Sequence, residues 1–418
     1  MRLKDIAKLN SWEVAKVSEL TFFQEGPGVR KKQYTDEGVK LLNVGNLQEG
    51  KLDLSLTDRY ISEEEAYGRY SHFLVDEGDL IIACSGIQIS YFHEKMAFVK
   101  KSHLPLCMNT STMRFKALNP QKLDINYFSY FLKTIFFKDQ LQRLITGSAQ
   151  LNFGPSHIKE IDLILPPMEI QEKIVKVLDQ AQALIDKRKK QINALDQLIE
   201  SIFYTMFGDP VRNEKGWEIR KLGEHIKVLT DYHANGSYKA LRENVELLDE
   251  RSYALMIRTT DLEAKEYKSN VKYISKKAYD FLAKSQVHPE DIIINKIGSA
   301  GQVYIMPDLN CKVSLGMNQF LLRMDDSLNH TYIYYLFNTS SGEKLIKSKA
   351  KGAVTKTINK KAIRNIKILL PPISLQEKFA DKVETIEKQK KLLNQSLELL
   401  EENYKSIMDK AFKGQLFN

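Results

Sequence analysis

At 418 residues the chain is too long for one compact domain and fits two or three, and 43% hydrophobic content gives each a core to bury. No run of about 18 apolar residues occurs, and the opening MRLKDIAKLNSWEVAKV is charged every few residues, which argues against a spanning helix, a membrane partner and a secretory signal. A net charge of +9 favours a polyanionic partner, and three cysteines without a CxxC pair (Cys84, Cys107, Cys311) suit buried thiols in a reduced, cytoplasmic compartment.

In chain order, a Trp-led segment (SWEVAKVSEL, Trp12) is followed by short β-like runs at 39–44, 80–84 and 113–116, separated by Gly-containing turns. A Tyr/Phe-rich helix is expected over 125–144. Pro166-Pro167 then fits the start of a long helix, because a first-turn proline loses no intrahelical bond and presets φ. Glu169 and Glu172 add negative charge to its first turns. Along that helix Leu178, Ala181, Ile185, Arg188, Ile192, Leu195, Ile199 and Ile202 recur in alternating steps of three and four.

The same order then repeats. A second Trp-led segment (GWEIRKLGEH, Trp217) precedes β-like runs at 254–258, 292–295 and 319–323, an aromatic helix over 331–347, and Pro371-Pro372. One offset of 205 carries Trp12 onto Trp217, Gly147 onto Gly352, Ile158 onto Ile363, Pro166 onto Pro371 and Gln171-Glu172 onto Gln376-Glu377. Between these anchors it drifts, pairing Tyr60 with Tyr273 and Asp79 with Asp291, as loop insertions require. The second seam is Val383, Ile386, Lys390, Leu393, Leu397, Leu400, Tyr404 and Ile407. Sustained heptads in two matching copies predict a coiled coil of one long helix on the other. Connectivity makes the pair antiparallel about a pseudo-twofold axis. At ~1.5 Å per residue the helices would form a rod about 55 Å long. Arg188 and Lys390 break the apolar seam; either their stems snorkel to water, or a central charge fixes the register.

The expected fold is therefore α/β (α+β), a pseudo-twofold direct repeat of two globular units and two long antiparallel coiled-coil helices. The boundaries drawn are 1–165 for the first unit, 166–212 for its helix, 213–370 for the second unit and 371–418 for its helix.

Motifs for chemistry are missing. There is no P-loop and no HExxH, and the eight histidines lack ligand spacing, so neither a catalytic nor a metal residue is named. The Pro-Pro pairs follow Leu165 and Leu370, unlike the Asn/Asp-Pro-Pro-aromatic turn of an adenine methyltransferase, and Glu263-Ala264-Lys265 lacks the upstream partner of a nuclease. Polar and basic loops suited to DNA remain. In the first unit they are Arg30, Lys31 and Lys32 beside a Gly-Pro-Gly turn, Ser85 and Gln88 after a strand, and Ser148, Gln150 and Asn152 before the long helix. In the second they are Asn235, Ser237 and Tyr238, then Lys296 and Ser299, then Lys351, Lys356 and Thr357. Lys and Arg suit phosphates and guanine edges, and Gln and Asn can hold adenine.

With LPPMEIQEKI and LPPISLQEKF opening two long helices, and Trp-Glu-hydrophobic starts at Trp12 and Trp217, the whole chain resembles the specificity (S) subunit of type I restriction–modification systems. The resemblance implies two target recognition domains that read two half-sites of double-stranded DNA separated by unread bases. It implies helices that act as a ruler and dock two methyltransferase subunits, which carry S-adenosylmethionine, while this chain holds no cofactor. A restriction (motor-nuclease) subunit would join. Residues 21–41 and 226–253 barely align, so the two readers should differ and the target should be asymmetric. The rival readings are a coiled-coil scaffold whose globular ends bind proteins, and a self-sufficient methyltransferase or nuclease.

Overall fold

The structure, a computed structural model, describes residues 2–145, 151–352 and 355–417. The chain divides into two compact units, Met1–Lys187 with Ser396–Asn418 and Arg188–Gln395. Two 40-residue helices, Met168–Phe207 and Ile373–Phe412, each give one part to each unit.

In unit 1 a four-stranded antiparallel sheet runs in the order Thr21–Glu25, Thr112–Ala117, Leu80–Ala83, Met96–Phe98. Leu80–Ala83 is buried along its whole length, which is why it reads as a continuous apolar run and not as an alternating one. A second sheet joins Leu106–Met108, Val39–Leu42 and Tyr60–Ile61. The Trp-led segment supplies Glu13–Lys16, which pairs with Asp162–Leu165 just ahead of the Pro-Pro pair. In unit 2 the first sheet has the same order, Ile226–Asp231, Gln319–Met324, Ile292–Asn295, Val303–Ile305. Its second sheet has four strands, with Gln286–Val287 added at one edge, and Glu218–Lys221 pairs with Lys367–Leu370.

Each aromatic helix expected as one piece is two. Ile125–Lys133 and Ile135–Leu144 meet at Thr134, whose extended backbone ends the first helix while its hydroxyl accepts from Phe137 N–H. In unit 2 His330–Asn338 and Gly342–Lys347 are divided at Thr339, and a Cβ on Gly342 would stand 1.6 Å from the Leu336 carbonyl oxygen. A continuous helix has no room for that approach, which only glycine permits.

The repeated Gln-Glu pair has a structural explanation. Gln171 is fully buried; its Oε1 accepts from Asp124 N–H at 2.9 Å, and its Nε2 donates to the Lys122 and Pro166 carbonyls at 3.0 and 2.9 Å. Gln376 does the same with Asn329 N–H (2.9 Å) and the Ser327 and Pro371 carbonyls (3.2 and 2.8 Å). The glutamine thus ties the root of each long helix to the start of the aromatic helix. Beside it, Tyr127 donates to the Ile164 carbonyl at 2.8 Å and Tyr332 to the Leu369 carbonyl at 2.9 Å, both from full burial. Pro167 and Pro372 accept the first helical bonds, so each proline pair lies immediately before its helix.

Within each unit the long helices pack antiparallel. In unit 1 Ile174 and Leu178 share a core with Tyr404, Ile407, Met408, Ala411 and Phe412. In unit 2 Ile199, Phe203 and Phe207 share one with Phe379, Val383 and Ile386. Of the seam positions, Leu178, Ile185, Ile199, Val383 and Ile386 are buried, and Arg188, Ile192, Leu195, Lys390, Leu393, Leu397 and Leu400 are half-buried. Lys390 does not snorkel: its ammonium reaches Asp196 on the other helix at 2.5 Å and Glu387 at 2.8 Å. Burial pulls its pKa down, but hydrogen bonds to the two carboxylates outweigh that and hold it above the ordinary value.

Cys84 and Cys107 are buried, whereas Cys311 is exposed, contrary to the expectation for all three; it stands immediately before the strand Lys312–Leu315, whose first residue is also exposed. Among the described residues no helix is long and apolar enough to cross a membrane.

Candidate nucleic-acid interface

In unit 1 the strand register gathers the loops. Met113 lies opposite Glu25, and Thr112 opposite Ala83, so three strand ends share one edge of the first sheet. From Glu25 the chain turns into the Gly-Pro-Gly segment. A Cβ on Gly26 would stand 2.1 Å from the Asn109 carbonyl oxygen, so this crossing requires glycine. The segment leads to a short 3-10 turn, Lys31–Gln33, that leaves Arg30, Lys31 and Lys32 exposed. Gln33 fastens it by donating to Glu65 at 2.8 Å and to the Tyr70 hydroxyl at 3.0 Å.

From Ala83 the chain continues into Ser85–Ile87, which pairs with Leu151–Asn152. Ser85 Oγ and Gly86 N–H both donate to Asn152 Oδ1, at 2.6 and 3.1 Å. Two stretches singled out in the sequence, 66 residues apart at Gly86 and Asn152, thus form one small ladder. Gln88 follows it and is exposed. Ser148 and Gln150 lie outside the described residues.

Unit 2 repeats the plan with other residues. Phe320 lies opposite Asp231 and Gln319 opposite Asn295. Ile297 and Lys351 both bridge to Thr357, which exchanges two 2.8 Å backbone bonds with Lys351. This matches the unit 1 ladder, since Thr357 stands 205 residues after Asn152, and Ile297 stands 212 after Ser85, as Asp291 does after Asp79. Lys351, Lys356 and Thr357 are exposed there. Lys296 is half-buried, 5.4 Å from the Phe320 ring centroid, and pairs with Asp231 at 3.4 Å. Lys360 pairs with the same carboxylate at 2.9 Å. Partial burial pushes the Asp231 carboxyl up, but the hydrogen bond and charge of Lys360 and the charge of Lys296 keep it below the ordinary value.

Three of the polar residues expected to face DNA hydrogen-bond within their own unit, as Ser85 and Asn152 do. Asn235 donates to the Tyr232 carbonyl and the Ser285 hydroxyl and accepts from Lys284 N–H, which uses both ends of its amide. Ser237 caps the helix Tyr238–Asn244 by accepting from Ala240 N–H. Ser299 donates to Glu263 at 2.5 Å and accepts from Asn295 at 2.8 Å. They shape the loops, and Tyr238, 74% exposed, is what the first of these loops presents. Sequence reasoning passed over Glu25, Asp231 and Lys360; the repeat offsets alone align the two carboxylates only loosely, because insertions lie between them. Among the described residues no group of three or more His, Cys, Asp or Glu side chains is placed to hold a metal ion.

Comparison with known proteins agrees with this architecture. The family model described as Type I restriction modification DNA specificity domain matches twice, at residues 10–197 and 214–402. The StySPI specificity subunit of Salmonella potsdam is 24% identical over 97% of this chain and 89% of its own length. The EcoKI specificity subunit of Escherichia coli K12 is 22% identical over 97% and 89%. A structure solved in a study of complex assembly and conformational transition of the type I system superposes with a TM-score of 0.55 at 17% identity, covering 97% of this chain and 98% of that one; it supports the fold. The chain belongs to the type I restriction modification DNA specificity family. It is a non-catalytic specificity subunit of a type I restriction–modification system, the component that recognises DNA targets within the complex.

Proposed function

We propose that each unit reads one short half-site of double-stranded DNA with the loops gathered at the edge of its first sheet. The observation that carries this reading is the pairing of separate loops beyond the strand ends in each unit, Ser85 with Asn152 in the first and Ile297 and Lys351 with Thr357 in the second, with exposed basic residues, Arg30–Lys32 and Lys351 with Lys356, in the loops that leave the same sheets. The lysines and arginine match phosphates, while small polar groups in the same cluster are the size that base edges accept. The two clusters differ in charge and residue type, so the two half-sites differ and the full target is asymmetric and split by unread bases. The recognition domains are 1–165 and 213–370, and the helical segments 166–212 and 371–418 dock two methyltransferase subunits. Those subunits carry S-adenosylmethionine; restriction subunits join for cleavage, and the assembly works in the cytoplasm.

The test is a genome-wide map of adenine methylation in cells expressing the neighbouring methyltransferase, with and without this chain. A split, asymmetric motif that disappears without the chain is the expected result. Identical marking by an active methyltransferase in both cases sinks the reading and leaves the scaffold alternative. The scaffold is separable in vitro as well, because counterion release makes DNA binding fall steeply with salt, and apolar protein docking does not.

A further inference from the structure

The two reading edges carry a carboxylate at the same place, and the two are treated oppositely. Glu25 ends its strand opposite Met113, and Asp231 ends the matching strand opposite Phe320. Asp231 is held by two ammonium groups, Lys296 at 3.4 Å and Lys360 at 2.9 Å. The positions of those lysines in unit 1, by the offsets of 212 and 205, are Cys84 and Pro155. Glu25 therefore has a thiol where Asp231 has a cation: Cys84 Sγ donates weakly to Glu25 Oε1 at 3.9 Å. Burial, with the nearby Glu25 charge, pushes that thiol up to about 12, so it stays neutral. Among the described residues no cation pairs with Glu25.

The carboxylate is half-buried between Cys84 and Gly154, each next to a residue of the Ser85–Asn152 ladder or two from it, with Oε2 3.3 Å from where a Cβ on Gly154 would stand. An ionised carboxylate only accepts hydrogen bonds, and a DNA phosphate repels it. What a duplex offers it in the major groove is a base amino group, N4 of cytosine or N6 of adenine.

We infer that Glu25 is a specificity-determining residue that reads an amino-bearing base, cytosine or adenine, in the half-site taken by unit 1. In unit 2 the matching carboxylate is already satisfied, so that edge presents ammonium donors, which suit guanine or a phosphate. The inference rests on the recognition reading above and adds to it which base chemistry one residue selects.

The experiment is methylation in vitro by the assembled complex, on duplexes in which each half-site position is replaced in turn. Wild type is compared with Glu25→Ala and Glu25→Lys. With Glu25→Ala, preference at one cytosine or adenine of one half-site falls at least about fivefold, while every other position keeps its own. The identity of that base in the wild-type profile tells cytosine from adenine. With Glu25→Lys, guanine replaces it as the preferred base at that position. Unchanged profiles in both variants overturn the assignment. So does an equal loss at all positions in both, which gives Glu25 a structural role. If the wild-type complex itself imposes no split motif, the recognition reading fails first and takes Glu25 with it.

Discussion

Each unit has two ends that behave differently under the repeat. At the root, where the long helix begins, equivalent residues make equivalent bonds at one offset: Gln171 and Gln376, Tyr127 and Tyr332, Asp124 and Asn329. At the loop edge of the first sheet the backbone plan repeats, but the side chains do not. Ser85 and Asn152 stand where unit 2 has Ile297 and Thr357, and Glu25 lacks the lysines that hold Asp231. Buried amides must find partners, so the root tolerates little change. Solvated loop side chains carry no such debt and are free to vary with the target. The separation suits the function proposed above, in which the helices dock partner subunits and the loops read DNA.

The largest effects should come from the helix ends that close each root. Phe412 stacks on Tyr127 at 5.1 Å in unit 1, and Phe207 meets Tyr332 at 4.7 Å in unit 2. Phe412→Ala and Phe207→Ala should each destabilise their unit by about 3–5 kcal/mol, through lost burial and the cavity left behind. Trp12 and Trp217, one per unit, report on this by fluorescence in urea, each read with the other replaced by Phe. Matching losses support equivalent roots; a large loss at one and none at the other breaks the equivalence. Next in size are Gln171→Ala and Gln376→Ala, which orphan a buried backbone N–H and two carbonyls. About 1–3 kcal/mol each is expected in the same assay.

The root was legible because its signals are local and repeated: proline pairs fix the helix starts, and a 3.5-residue apolar period fixes the seam. The purpose of Gln171 was not legible, since two of its three partners lie 47 and 49 residues upstream and all are backbone atoms without sequence identity. The breaks at Thr134 and Thr339 were missed because the apolar pattern continues through them. At the loop edge, composition offered candidate stretches but not the orientation of each side chain. Asn235 and Ser237 have the residue types of base readers and of loop braces alike, and their bonds to Ser285 and Ala240 are visible only in the geometry. The Lys390–Asp196 pair was half visible, as a charge in an apolar seam whose partner sits on another helix.

Smaller effects sharpen the contrast. Tyr127→Phe and Tyr332→Phe each remove one hydroxyl from a buried hydrogen bond and leave the ring in place. A loss of about 0.5–1.5 kcal/mol is expected for both, and a difference beyond that range between them would show that the roots are not energetically alike.

The smallest effect separates the two loop edges, and pH reveals it. Asp231 has its pKa held below the ordinary aspartate value of 3.8 in the folded protein, so its pairing with Lys360 and Lys296 stabilises unit 2 above that value. The contribution is lost as pH falls through the lowered folded-state value. Because both lysines are partly solvated, it amounts to no more than about 1 kcal/mol. Asp231→Asn should therefore lower the urea midpoint read by Trp217 at pH 7, and the gap to wild type should close as the solution is acidified below 3.8. Glu25→Ala, which breaks no ion pair, should change the stability read by Trp12 by less than about 0.5 kcal/mol. A gap for Asp231→Asn that persists in acid would mean that shape, not charge, fixes the carboxylate. The contrast between a satisfied carboxylate in unit 2 and an available one in unit 1 would then lose its electrostatic basis.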